Sequence, residues 1–157
     1  MIALTWNLLL ALIWTALWGN LSGPNLLIGF MVGYLVLAFG LRDIPEFARY
    51  AARVPRLIRF SFYFIGELVK SNLKVAYDVL TPAHHMRPAV IAFPLEAKTD
   101  GEITMVANLI SLTPGTLSLD VSRDRKVLYI HAMYFDGDEP TRESLREFER
   151  RILEVMR

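Results

Sequence analysis

Apolar and polar positions follow three different patterns along the chain. From Met1 to Leu41 no Lys, Arg, Asp or Glu occurs, and the first charged residue is Arg42. A membrane-crossing helix needs about 20 apolar residues at about 1.5 Å rise each. The 41 uncharged residues are enough for two such helices. The run is broken at Gly19-Asn20-Leu21-Ser22-Gly23-Pro24-Asn25, a turn composition. The pattern predicts helices over roughly 3–18 and 24–41. Pro24 suits the first turn of the second helix, where its missing N–H costs nothing. Trp18, beside the turn, suits the depth of a membrane interface. A cleaved signal peptide would need a basic start and a small-residue cleavage site, and neither is present. Gly29 and Gly33 have the small-x-x-x-small spacing that lets membrane helices approach closely. Their partner is either the first helix or a foreign subunit.

The second pattern is periodic. Behind Pro55, residues 56–80 are mostly apolar, but Glu67, Lys70, Ser71, Lys74 and Asp78 recur on one helical face. Lys74 and Asp78, four apart, can pair. Phe60, Phe64, Ile65, Leu68, Val69, Leu73, Val75, Ala76 and Leu80 occupy the other face. Such a helix lies along a membrane interface, with Glu67, Lys70, Lys74 and Asp78 as its polar face. A span would bury Lys70 and Lys74 at a cost of about 2.5–3.5 kcal/mol each near the bilayer centre. That favours the interfacial arrangement. A span whose polar face is covered by partner subunits is the alternative, and in it Glu67 becomes a proton or cation ligand.

The third pattern is that of a small mixed domain. A linker, Thr81 to Pro88, contains His84 and His85. Residues 89–95 read as a strand, and 100–112 as a helix with Thr99 or Asp100 as N-cap and Pro114 enforcing its end. Residues 116–122 and 127–135 read as strands joined by Arg123-Asp124-Arg125-Lys126. Asp136-Gly137-Asp138-Glu139-Pro140 opens a last helix with the apolar stripe Leu145, Phe148, Ile152 and Val155. The order is β-α-β-β-α, a small α+β layer with its helices on one sheet face. The predicted organisation is a transmembrane α-helical hairpin over 1–41, an Arg-rich loop and amphipathic third helix over 42–81, and an α+β domain over 82–157.

Composition sharpens this reading. Hydrophobic residues make up 54% of the 157, which excludes a disordered chain, and their concentration at the N-terminus excludes a wholly soluble globule. Residues 1–80 carry seven basic and four acidic groups, and residues 81–157 carry ten and twelve. The mildly acidic C-terminal part is a poor nucleic-acid binder. Arg42, Arg49, Arg53, Arg56 and Arg59 follow the second helix, whereas the turn at 19–25 is uncharged. Basic flanks stay cytoplasmic, so the turn is expected outside, and the N-terminus, the Arg-rich segment and the α+β domain inside.

Candidate chemistry is sparse. There is no Cys, so disulfides, thiol nucleophiles and Cys zinc sites are excluded. His84-His85 is a weak metal pattern without a third ligand nearby. His131 lies mid-strand as a packed or hydrogen-bonded side chain, and Asp136, Asp138 and Glu139 lack the rest of a calcium loop. No glycine-rich phosphate loop or G-x-S-x-G nucleophile motif is present, so neither enzyme nor cofactor is expected. The most unusual stretch runs from Asn108 to Thr116. Its Pro114-Gly115 fits the centre of a type II turn. Asn108, Ser111 and Thr113 among apolar neighbours either cap backbone groups or meet a partner.

The stretches "ANLISLTPGTLSLDVS", "LYIHAM", "RFSFYFIGELVKSNLKVAYDVL" and "RPAVIAFPL" resemble the E subunit of the Mrp-type multi-subunit sodium/proton antiporters, over nearly the whole chain. The resemblance implies an accessory membrane subunit with a cytoplasmic C-terminal domain. Its partners would be the other membrane subunits and the lipid bilayer. Cation and proton translocation would belong to larger subunits. No catalytic residue carries over. Asn108, Ser111, Thr113, Pro114, Gly115, Thr116 and Asp120 carry over as a family signature only. A stand-alone membrane-tethered binding module and a small anchored hydrolase are the rival classes. Co-purification of several hydrophobic subunits discriminates against the first rival, and the absence of a recognisable nucleophile with its base argues against the second.

Overall fold

The computed structural model describes residues 2–82, 86–135 and 137–157. These residues form α1 (Ile2–Leu17), α2 (Gly23–Gly40), α3 (Pro45–Leu80), β1 (Ala89–Pro94), α4 (Asp100–Leu112), β2 (Thr116–Val121), β3 (Val127–Ala132) and α5 (Asp138–Met156). They fall into two compact units, Met1–Ile58 and Arg59–Arg157, so α3 contributes to both.

In the first unit, α1 and α2 meet along stripes of mostly small residues four apart. Ala3, Asn7, Ala11 and Thr15 of α1 are buried, as are Gly29, Gly33 and Leu37 of α2. Rows of every fourth residue are the ridges by which helices interdigitate. A Cβ at Gly29 would lie 2.9 Å from the Ala11 carbonyl and the Trp14 side chain. A Cβ at Gly33 would overlap Asn7 Oδ1. The two glycines thus serve the contact of α2 with α1. Most of the other large apolar side chains point outward: Ile2, Leu8, Leu12, Ile13, Leu27, Met31 and Phe39 are all exposed. Among the described residues, α2 is the one helix long and apolar enough to cross a membrane, and α1, with 16 residues, is shorter.

The segment after α2 differs from the sequence expectation. Residues 45–55, expected within an Arg-rich loop, are helical, and Pro55 lies inside α3 rather than before it. Two causes are visible. Pro45 occupies the first helical position, where proline is preorganised. Pro55 has no N–H for the carbonyl of Ala51, four residues back, and that carbonyl accepts from the Tyr34 hydroxyl at 2.9 Å instead. Phe47 is buried with Ala3 and Leu37, and Asn7 Nδ2 donates to Tyr50 Oη at 2.8 Å.

The second unit has the expected β-α-β-β-α order. Its three antiparallel strands lie in the order β1-β3-β2, with Ile91 opposite Ile130 and Phe93 opposite Leu128. Phe93, Leu128 and Ile130 form one core with Ile103, Val106 and Ile110 of α4 and Leu145, Phe148 and Ile152 of α5. Val90, Leu117, Leu119 and Tyr129 remain exposed on alternate strand positions. Polar groups fix the connections. Thr99 caps α4, accepting from the Glu102 N–H while Glu102 Oε2 accepts from the Thr99 N–H, a capping box. Buried Glu149 of α5 holds the end of β1 by accepting from the Glu96 and Ala97 N–H groups at 2.8 and 2.9 Å. Arg142 donates to the Ala92 carbonyl at 2.7 Å, and the Ser118 N–H donates to Ser111 Oγ at 3.0 Å.

Candidate functional site

The stretch between α4 and β2 folds back on itself through its own hydroxyls. Thr113 Oγ1 donates to the Leu109 carbonyl, and Thr116 Oγ1 donates to the carbonyls of Ile110 and Thr113. Ser118 Oγ donates to the Ala107 carbonyl. The two threonines occupy carbonyls at the end of α4 and in its cap, where intrahelical partners run out, and Ser118 adds a second bond one turn further in. Gly115 has φ +88°, and the Thr116 N–H closes the turn on the Thr113 carbonyl at 3.2 Å, as a Pro-Gly type II turn requires. Asp120 sits at a register shift in β2, its Oδ1 accepting from the Val121 N–H. Asn108 is exposed. Ser111, Thr113 and Thr116 are therefore backbone staples, which accounts for polar residues among apolar neighbours.

Gly115 has a second constraint. A Cβ there would approach the Tyr134 ring to 3.3 Å. The same ring carries Lys74 of α3, whose Nζ lies 4.3 Å from the ring centroid, a cation–π distance. Burial raises the Tyr134 phenol pKa, and the neighbouring Asp78 carboxylate raises it further. The signature glycine, the aromatic ring and the polar face of α3 thus form one contact chain.

The structure divides the polar face of α3. Lys70 is exposed and pairs with Glu67 at 2.8 Å. Asp78 is 3% exposed. Glu67, Ser71 and Lys74 line a cavity of about 280 Å³ together with Pro114, Gly115 and Thr116 of the turn, Tyr134, and Ser144 and Phe148 of α5. The expected apolar face divides as well. Phe60 and Phe64 pack on Phe148, with ring centroids 6.5 and 6.1 Å away, whereas Ile65, Val69, Leu73 and Leu80 are exposed. Glu67, Ser71 and Asp78 are turned towards the α+β layer, whereas Lys70 stays in solvent beside the open apolar positions.

Sequence reasoning missed Tyr134, Tyr63 and Ser144, which only the folded chain brings to α3. It also missed Ala3, Ala11 and Thr15 as the counterpart of the glycine pair, although their four-residue spacing was readable. His84, His85 and Asp136 lie outside the described residues. Asp138 stands in the first turn of α5 and pairs with Arg142 at 2.9 Å. Among the described residues no three His, Asp or Glu side chains converge as a metal set.

Helices with outward apolar side chains, joined to a small α+β layer whose signature residues bind backbone, define a membrane-complex component. Comparison with known proteins specifies it. A family model described as Na+/H+ ion antiporter subunit matches residues 7–155, and the chain belongs to that family. It is 40% identical over 150 residues to the E subunit of the Na+/H+ antiporter of Alkalihalophilus pseudofirmus, covering 95% of this chain and 94% of that protein. It is 41% identical over 152 residues to the corresponding E subunit of Bacillus subtilis, covering 96% of each. Among solved structures, a chain of the Mrp complex from Dietzia sp. aligns with TM-score 0.52 at 29% identity, covering 65% of this chain and 96% of its own. A chain of the membrane-bound sulfane sulfur reductase, an archaeal respiratory membrane complex, aligns with TM-score 0.52 at 26% identity, covering 96% and 98%.

Proposed function

We propose that this chain is the accessory integral-membrane subunit of a multi-subunit Na+/proton antiporter and supports assembly and coupling rather than carrying ions itself. In this reading α1 and α2 cross the bilayer, α3 from residue 59 onward lies along the inner interface, and the α+β domain is cytoplasmic. The observation that carries it is the burial pattern of α1 and α2. Their small residues face each other, while side chains such as Leu8, Ile13, Leu27 and Phe39 are exposed. Only a lipid or protein environment makes such exposure favourable. Packing of Phe60, Phe64, Glu67 and Lys74 towards the α+β layer supports an interfacial α3, because a helix bound sideways to a polar domain is poorly placed to cross a bilayer. The signature turn then acts as the anchor of α3 through Tyr134.

Two experiments test this. Purification in mild detergent by a tag on this chain should recover several hydrophobic subunits, and recovery of the chain alone contradicts a subunit role. Cys introduced at residue 49 and at residue 124 should both resist an impermeant thiol reagent in intact cells. Labelling at 124 but not at 49 establishes a third span.

A further inference from the structure

We propose that the arginine row at the start of α3 is a binding surface for anionic phospholipid headgroups. Residues 42–58 contain four arginines, Arg42, Arg49, Arg53 and Arg56, and no lysine, against Asp43 and Glu46. All four are exposed. No acidic side chain pairs with Arg42, Arg49 or Arg53 among the described residues, and Arg49 Nε reaches only the Pro45 carbonyl, at 3.3 Å. Arg49, Arg53 and Arg56 are spaced by four and three, so they share one face of the helix. The opposite face bears Phe47, which is buried on Ala3 and Leu37, and Ala51, which holds Tyr34. The arginines therefore point away from α1 and α2, to the outside of this unit.

Depth and chemistry select the ligand. Arg42 stands two residues beyond Gly40, the last residue of the candidate span, so the row begins where that span ends. Leu41, Ile44 and Leu57 are exposed beside it, at 38%, 43% and 52%. Basic groups interleaved with exposed apolar side chains suit a surface that is anionic outside and hydrocarbon beneath. Guanidinium forks match phosphate oxygens bidentately, which an ammonium does not.

The inference rests on the bilayer placement of α1 and α2, and its test separates the two. The complex carrying a tag on this chain is purified, and photo-crosslinkable phosphatidylglycerol or phosphatidylcholine is added at equal concentration. Label is counted on this chain alone. Phosphatidylglycerol should label it at least about fivefold more than phosphatidylcholine, with the preference falling as salt is raised. The variant R49Q/R53Q/R56Q should lose the preference, and R49K/R53K/R56K should keep part of it. Equal labelling by the two lipids, or an unchanged preference in the Gln variant, overturns the proposal. Displacement by inorganic phosphate at matched ionic strength assigns the row to free phosphate and also overturns it. Loss of a partner subunit from the Gln variant with its lipid preference intact places an acidic protein there instead. Absence of partner subunits from the wild-type preparation counts against the subunit reading, whatever the lipid labelling shows.

Discussion

The two units use side chains in opposite ways. In the C-terminal unit apolar groups point inward, as Phe93, Val106, Ile130 and Ile152 do, and charged groups such as Arg123 and Glu143 point out. In the N-terminal unit the inward positions are mostly small or polar, namely Ala3, Asn7, Ala11, Thr15, Gly29 and Gly33, with Leu37 and Phe47 the large exceptions, and most large apolar side chains of α1 and α2 are outside. The first arrangement draws its stability from taking apolar surface out of water. The second has little large apolar surface to bury between α1 and α2, so it depends on close backbone approach and on what surrounds it. A change of one methyl group should therefore act on different quantities in the two units: helix separation in one, core filling or turn geometry in the other.

The largest effect is expected at Gly33. Leu at this position must displace Asn7, and overpacking of this kind costs about 1–3 kcal/mol or more. Gly33→Leu should abolish incorporation of the chain into the complex, read as loss of co-purifying subunits. Normal incorporation would show that α1 and α2 are not held by close approach. Next is Glu149→Ala, which leaves the N–H groups of Glu96 and Ala97 without their acceptor and should cost about 2–3 kcal/mol. The α+β domain of the full chain in detergent should melt at lower temperature, with α1 and α2 unaffected. Gly115→Val follows at about 1–3 kcal/mol, from positive φ and from contact with Tyr134. Pro114→Ala should be milder, because Ala accepts the same φ. Proteolytic susceptibility of α3 reports whether Tyr134 has lost its hold. Transport lost in Gly115→Val with assembly and protease resistance intact would move the turn from a structural role to an ion-coupling one.

The smallest effect is one of pH. The Arg157 side chain, with the backbone N–H groups of Lys98 and Thr99, lowers the Glu102 pKa from its ordinary 4.5 to about 2. A carboxylate depressed in the folded state contributes stability that is complete above its unfolded value and lost as pH falls through the folded one. The contribution of Glu102 should therefore fade between about pH 4.5 and pH 2. Glu102→Gln should flatten that part of the melting-temperature profile of the full chain. A profile that keeps its wild-type slope would show that the Arg157 contact does not matter in solution.

Elements with strong local signals were legible from sequence. The N-cap of α4 was legible as Thr99 or Asp100, and the fold selects Thr99 with Glu102 completing a capping box; β-rich composition at 89–95 and alternation in the later strands made the β-α-β-β-α order legible. Helix α3 shows where legibility stopped. Proline normally closes a helix, so Pro55 read as a boundary, and nothing local reveals that a tyrosine 21 positions earlier takes over the released carbonyl. The polar face of α3 was found by periodicity, but periodicity names a face without naming what covers it. Tyr134 lies 60 residues from Lys74, and their meeting is a property of the tertiary fold. The signature residues were located for the same reason that their roles were obscure. Ser111, Thr113 and Thr116 bond to backbone, and backbone partners leave no trace in residue identity.

One feature of the sheet limits how this domain can meet a neighbour. Both outer strands carry a side-chain plug: Arg142 on the Ala92 carbonyl of β1 and Ser111 on the Ser118 N–H of β2. Open strand edges are the usual seams along which chains zip together, either productively or into aggregates. With one outward group on each seam already occupied, a strand added along either edge would have to displace Arg142 or Ser111, so each seam is a poorer template for a copy of this chain than a bare one.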